Sequence, residues 1–285
     1  MKSVFFGTPQ FATIILDELK ARGFIPSLIV TQPDKPVGRK QTLTPPPVKV
    51  WADEHGIDTI QPARLKDDPE IDAVLNSEWD MFIVAAYGLL LPKAVLDVPK
   101  YGVLNVHPSL LPKYRGPSPV QSQILHDDPD CGVSIMLLDE QMDHGPTLTQ
   151  ASVSIDESDW PLQATTLNDL LWHEGGKLLA ETIPLWTGAH ITPQEQDHTQ
   201  AIYTKQFKKE DGCIDIEHRD AYQNYLKYCA LTPWPGTHFF VDQGDEKIRV
   251  KIVEAEYSDG TFMPIRVIPE GKKELTYSSF LQKTN

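Results

Sequence analysis

Leu104-Asn105-Val106-His107-Pro108-Ser109-Leu110-Leu111-Pro112-Lys113-Tyr114-Arg115-Gly116 is the stretch on which the reading of this chain turns. Its apolar lead, from Tyr101 to Val106, has the length and content of a buried strand and delivers an Asn and a His two positions apart. Alternation along a strand turns both side chains to one face. Pro108, Pro112, Gly116 and Pro117 then forbid both a continued strand and a long helix, so the chain must open into a shaped loop. A polar pair at the carboxyl end of a buried strand, followed by such a loop, is where open α/β sheets place their chemistry.

Strand and helix signals alternate on either side of this stretch. Short apolar runs at Val4-Phe6, Ser27-Thr31, Met81-Ala86 and Val103-Val106 read as strands. Phe11, Ile14, Ile15 and Leu19 fall at helical spacing, and Val48 to His55 and Asp68 to Asn76 follow the same pattern. Alternation of this kind predicts an α/β domain with a doubly wound, mostly parallel sheet. Two more strands are expected over 132–138 and 147–153, with Gln141 to Pro146 as a loop between them. A helix from about Leu162 to Trp186 closes the domain, with Leu167, Leu170, Leu171, Leu178 and Leu179 as its apolar stripe. The boundaries expected are a first domain over 1–188, a polar linker over 189–206 and a second domain over 207–285. In the second domain a helix from about Arg219 to Ala230 precedes strands at His238-Val241, Ile248-Ala255, Pro264-Ile268 and Glu274-Tyr277. Small strands so spaced predict a small β-barrel.

The 285 residues are long for one core and comfortable for two. Cys131, Cys213 and Cys229 are widely spaced and include no CxxC, which argues against a disulfide framework and for a reducing compartment. No apolar run reaches the length of a membrane span and Met1 to Gly7 reads as a first strand, so a cytoplasmic protein is expected. Net charge is −14 and uneven: residues 207–285 hold 11 Lys+Arg against 13 Asp+Glu, leaving 15 against 27, or −12, in the first 206. A field of that sign repels a polyanion, so any nucleic acid must be gripped through a local basic patch. One exists, because Lys35, Arg39, Lys40 and Lys49 occur between Asp34 and Asp53 with no acid among them.

Two absences narrow the chemistry. The first strand is followed by Phe6-Gly7-Thr8-Pro9-Gln10-Phe11, one glycine where a dinucleotide fingerprint needs three, and no GxxxxGK[ST] occurs. The histidines are scattered without metal-ligand spacing, and no metal is expected. A His is an effective base near neutrality, a carboxylate such as Asp143 beside it would orient the ring and stabilise the imidazolium, and an Asn amide can donate to an oxygen gaining charge. Such a set without a Ser or Cys nucleophile suits direct attack of an amine on a carbonyl, through a tetrahedral intermediate. Taken singly, His107 also fits a buried structural histidine, Asp143 a turn before Gly145, and the basic patch a solvated loop. Lys113 and Arg115 fit either an anion contact or a solvent-facing position.

Val103 to His107, with Ser109-Leu110-Leu111-Pro112 and Tyr114-Arg115-Gly116, resembles the signature of the folate-dependent formyltransferases. Leu138-Asp139-Glu140-Gln141-Met142-Asp143-His144-Gly145 matches that family's later Asp motif, with Gln141 for a common Gly and His144 for the usual Thr. Phe6 to Ala12, Ala85-Ala86-Tyr87-Gly88, Leu91-Pro92, Thr232 to Gly236 and Pro269 to Lys273 resemble the branch of that family that acts on methionyl-tRNA. The resemblance implies that His107 takes a proton from the α-amino group of methionyl-initiator tRNA as it attacks the formyl carbon of 10-formyltetrahydrofolate. Asn105 would stabilise the tetrahedral oxygen, and Asp143 would hold and tune His107. Ser109, Leu110, Leu111 and Pro112 would lie along the formyl-folate, and the backbone of Tyr87, Gly88, Leu89 and Pro92 would frame its pterin. Lys35, Arg39, Lys40 and Lys49 would reach the tRNA acceptor end, and the second domain would be a barrel of OB type. A monomer is the simplest expectation. The alternative is the same chemistry on a small amine such as an amino sugar nucleotide, since the near-neutral second domain carries little charge for tRNA.

Overall fold

Every residue of β1 (Ser3–Gly7) is buried, as an apolar run covered by structure on both faces requires. In the computed structural model, which describes residues 1–38, 40–216, 220–243 and 246–284, the chain continues through α1 (Gln10–Ala21), β2 (Leu28–Val30), β3 (Lys35–Val37) and β4 (Thr42–Thr44). Next come α2 (Pro47–His55), β5 (Thr59–Ile60), α3 (Pro69–Leu75), β6 (Met81–Ala85), α4 (Lys93–Leu96) and β7 (Val103–His107). Then follow α5 (Pro119–Leu125), β8 (Gly132–Leu137), β9 (Thr147–Ser152) and α6 (Ala164–Thr187).

Seven strands form one sheet in the order β5-β2-β1-β6-β7-β8-β9, parallel as far as β7 and antiparallel at β8 and β9. From β1 the chain winds outward to β2 and β5, then returns to place β6 on the other side of β1. That reversal makes the carboxyl ends of β1 and β6 a topological switch point. One face of the sheet packs Val4, Phe6, Phe82, Val84 and Val103 against Ile71, Val74 and Val95 of α3 and α4. The opposite face lies under α6, where a Cβ on Gly175 would come 2.6 Å from Val106 Cγ1 and 3.2 Å from Val133 Cγ1. Glycine at that position lets the helix approach. Because Val106 points to α6, strand alternation turns Asn105 and His107 to the other face, with Val103.

Two features depart from the expected pattern. Leu170 is exposed, whereas Leu167, Leu171 and Leu179 are buried together with Asn168, Trp172 and Ile183, so the buried face of α6 is rotated away from the leucine stripe. The β3–β4 pair, in register Lys35↔Thr44 and Val37↔Thr42, is an exposed two-stranded hairpin inside the basic segment.

Residues 1–117, 130–154 and 168–204 make one compact unit and residues 118–129, 155–167 and 205–285 the other. Residues 189–204 thus belong to the first unit. In the second unit α7 (Ala221–Leu231) is followed by β10 (His238–Gln243), β11 (Glu246–Ser258), β12 (Thr261–Pro269), β13 (Leu275–Thr276) and α8 (Tyr277–Thr284). Asp220 caps α7 by accepting the Gln223 N–H at 3.1 Å, and Arg219, the expected start of this helix, lies outside the described residues. The four strands pair antiparallel in the order β10-β11-β12-β13, the strand-rich second domain expected from the sequence. Leu226, Tyr228, Phe239, Val250, Ile252, Phe262, Val267 and Phe280 are buried in this unit. No helix among the described residues is long and apolar enough to cross a membrane.

Candidate active site

Asn105 and His107 occupy the last turns of pleat on β7, paired opposite Met136 and Ser134 of β8, and are only 8% and 4% exposed. A strand rise of about 3.3 Å per residue sets them about 7 Å apart on one face. No described residue hydrogen-bonds the Asn105 amide, so its donor and acceptor are uncommitted. The His107 ring is held differently. Its Nε2 lies 3.0 Å from the Tyr114 carbonyl, which can only accept, so Nε2 carries the hydrogen and Nδ1 of the neutral ring bears the lone pair. That Nδ1 is 3.7 Å from Asp143 Oδ1. The ring is therefore oriented by a main-chain carbonyl, and the carboxylate stands beside the basic nitrogen itself.

Asp143 arrives on the β8–β9 loop in a left-handed conformation, φ 50°. Its Oδ2 accepts the Gly116 N–H at 2.7 Å. Two residues on, a Cβ at Gly145 would sit 2.1 Å from the Leu137 carbonyl oxygen, so only glycine lets the loop return against β8. Gln196 clamps this loop by donating to the carbonyls of Asp143 at 3.0 Å and Gly145 at 2.6 Å. Beside Asp143, His144 donates from Nδ1 to Asp139 Oδ2 at 2.6 Å and stacks on the His198 ring at 4.1 Å.

The loop after β7 is pinned from beneath. Buried Ser134 donates to the Ser109 carbonyl at 2.6 Å and accepts the Leu111 N–H at 3.0 Å and the Gln150 amide at 2.8 Å. The Ser109 hydroxyl donates within the loop to the Lys113 carbonyl at 2.7 Å. Leu110 lies on Gly132, where a Cβ would meet its Cδ2 at 2.5 Å, and Leu111 is buried. Pro112 is half-buried. The side chains from Ser109 to Leu111 therefore shape the loop. At the switch point the Tyr87 side chain is core: it packs edge-on against Phe6 at 5.5 Å, and burial pushes its phenol up to about 12. Its carbonyl accepts from Thr8 Oγ1 at 3.1 Å and Gln32 Nε2 at 2.9 Å. Ala86 and Gly88, at φ 50° and 85°, turn the chain there, Leu89 and Leu90 are exposed, and Pro92 leads into α4.

The basic residues are not equivalent. Lys35 sits on the hairpin and donates to Gln32 Oε1, Lys40 is exposed at its turn, and Arg39 lies outside the described residues. Lys49 is bound to Asp34 at 3.3 Å and Gln61 at 2.6 Å. The Gln61 amide and the Lys49 charge hold the Asp34 carboxyl below the usual range. Arg115, read from the sequence as an anion contact or a solvent-facing residue, is fully buried because Gln196, His198 and Tyr203 supply its acceptors from 81 to 88 residues away. Neither Gln196 nor the burial of Arg115 carried a sequence signal, since both depend on contacts remote along the chain.

Residues 1–183 match the family model described as formyl transferase, and residues 206–265 match the formyl transferase C-terminal domain. The chain is 45% identical to a methionyl-tRNA formyltransferase of a Geobacillus species over 237 residues, covering 82% of this chain and 73% of that one. It is 41% identical to the methionyl-tRNA formyltransferase of Chloroflexus aurantiacus over 268 residues, covering 94% and 84%. Among solved structures, a sugar N-formyltransferase from a Shewanella species shares the fold with a TM-score of 0.65 at 15% identity, over 91% of this chain and 99% of that one.

Proposed function

This chain belongs to the formyl transferase family, and on that premise we propose that it transfers a formyl group from 10-formyltetrahydrofolate to the α-amino group of methionyl-initiator tRNA. The observation that carries the reading is the basic Nδ1 of His107 at 3.7 Å from Asp143, with the uncommitted Asn105 amide on the same face of β7. An attacking amine must lose a proton as its bond to the formyl carbon forms. His107 takes that proton at Nδ1, where the new cation is within ion-pair range of Asp143, and returns it to N10 of the donor as the bond from N10 to the formyl carbon breaks and tetrahydrofolate leaves. The Nε2 hydrogen bond to Tyr114 keeps the ring from turning as its charge changes. Asn105 donates an amide N–H to the formyl oxygen as that oxygen gains charge. These three groups come from one chain, so the reading needs no second copy, and it assigns no step to a metal.

The formyl donor fits the switch point. The exposed Leu89 and Leu90 offer the face of a flat pterin an apolar wall, and the left-handed backbone at Ala86 and Gly88 turns main-chain polar groups toward its polar edge. In this reading Tyr87, Gly88, Leu89 and Pro92 frame the ring, and Ser109, Leu110, Leu111 and Pro112 border the donor chiefly by backbone. Lys35, Arg39 and Lys40 on the hairpin segment meet tRNA phosphates, contacts that position without reading sequence. Lys49 braces the base of that segment through Asp34. The fold alone does not choose the acceptor; the relatives at 41% and 45% identity favour tRNA. Translation initiation places the enzyme in the cytoplasm.

The test supplies 10-formyltetrahydrofolate with charged initiator tRNA in one reaction and with an amino sugar nucleotide in another. Formyl-methionyl-tRNA in the first alone supports the reading. Consumption of the sugar amine with tRNA untouched replaces it by the small-amine alternative.

A further inference from the structure

Arg115 is the largest side chain with no solvent exposure, and no carboxylate among the described residues pairs with it. Removing an ion from water costs several kcal/mol, so a buried charge without a counter-ion needs a reason. Its partners show where the interaction leads. Nε and Nη2 both donate to Gln196 Oε1, at 3.0 and 2.6 Å, while Nη1 donates to the Tyr203 hydroxyl at 3.0 Å and Nη2 to His198 Nδ1 at 2.9 Å. With its oxygen filled, the Gln196 amide can point only its nitrogen the other way, to the carbonyls of Asp143 and Gly145. Next to Arg115, Gly116 donates its N–H to the Asp143 carboxylate. Asp143 is thus gripped at backbone and side chain by two adjacent residues, Gly116 directly and Arg115 through Gln196. The brace segment is itself laced to the first unit, through Gln194 paired with Thr147 and Tyr203 bridged to Arg115.

We propose that Gln196, held by buried Arg115, is a positioning residue that fixes the Asp143 carboxylate against His107 for proton acceptance. The inference rests on the formyl-transfer reading of that pair. An amide is needed here because one atom must accept from a cation while the other donates to two carbonyls. Lys at 115 would lose the planar fork that places two donors on one oxygen. An error of about 1 Å in a reacting group can cost about 100-fold in rate.

The test is Gln196→Glu, which keeps size and the Arg115 contacts but removes both donors to the Asp143 loop. Formylation kinetics are measured below the melting range of the variant and normalised to folded protein. The expected result is kcat lowered at least tenfold with KM for tRNA and for formyl donor within about twofold. The Gly116 amide, deprived of a well-placed acceptor, should exchange its hydrogen at least tenfold faster. A kcat within threefold of the unmodified chain overturns the proposal, whatever the change in melting temperature. If the unmodified chain formylates no amine, the functional reading falls instead, and the Gly116 exchange rate alone then decides whether Gln196 positions Asp143.

Discussion

Replacing Asp143 with Asn tests the centre of the mechanism with the smallest change of shape. The amide oxygen can still accept the Gly116 N–H that Oδ2 now takes at 2.7 Å, so the loop keeps its anchor. What disappears is a negative charge 3.7 Å from His107 Nδ1. In addition, an amide N–H placed toward Nδ1 would donate into the lone pair that has to receive the proton. At an effective dielectric of about 20, two unit charges at this distance attract by about 4.5 kcal/mol, against about 1 kcal/mol in bulk water. Each 1.36 kcal/mol is tenfold in rate, so a mostly buried pair should lose about 100- to 1,000-fold in kcat/KM. The assay is steady-state formylation of charged initiator tRNA, with a thermal melt of the same preparation. A melt within a few degrees of the unmodified chain and a rate down by at least 100-fold is the expected pair of results. A rate within tenfold would show that Asp143 serves only to shape its turn, and the proton-accepting role assigned to the pair would have to be abandoned.

Three further outcomes follow from the same structure. Lys40→Ala should weaken tRNA binding and lower the slope of log affinity against log salt by about 0.7 to 0.9, while Lys49→Met, which removes a lysine already bound to Asp34, should change the slope less; titrations at several salt concentrations compare them. Ser134→Ala leaves the Ser109 carbonyl, the Leu111 N–H and the Gln150 amide without their shared hydroxyl, and should destabilise the chain by about 2 kcal/mol in urea unfolding. Burial, then the charges of Arg249 and Lys227, hold the His238 imidazole below its ordinary value, so the folded state binds fewer protons than the unfolded one. The stability it contributes is present above about pH 6.5 and is lost as pH falls below that. The drop in melting temperature from pH 7.5 to 5.5 should accordingly be smaller in His238→Gln, and an equal drop would refute the assignment.

Where a feature depends on local pattern, the sequence exposed it. The continuous apolar runs at Val4, Met81 and Val103 are legible because strands buried on both faces need no alternation, and they appear as β1, β6 and β7. Spacing alone puts Asn105 and His107 on one face. The hairpin over Lys35 to Thr44 was illegible because its strands are exposed and one carries Pro36, so no burial pattern marks it. Leucine spacing puts Leu170 in the stripe, but at about 100° per residue it falls nearly opposite the face that Asn168, Trp172, Leu179 and Ile183 bury. The basic nitrogen of His107 could not be named from sequence, because a main-chain carbonyl at Tyr114 decides it. Arg115 looked like a surface cation for the same reason that Gln196 looked like linker: each explains the other, across 81 positions.

The lacing of residues 194–204 onto the first unit has a practical bearing on recombination. A graft that exchanges the second domain at residue 188, where composition changes, would carry away Gln196 and Tyr203 with the discarded piece and make buried Arg115 depend on the incoming segment for acceptors. A joint placed after Thr204, whose N–H still reaches the Arg115 carbonyl at 2.7 Å, keeps the brace with the module it serves. Domain exchange in this chain therefore has a preferred seam, and it lies some sixteen residues beyond the one that the composition marks.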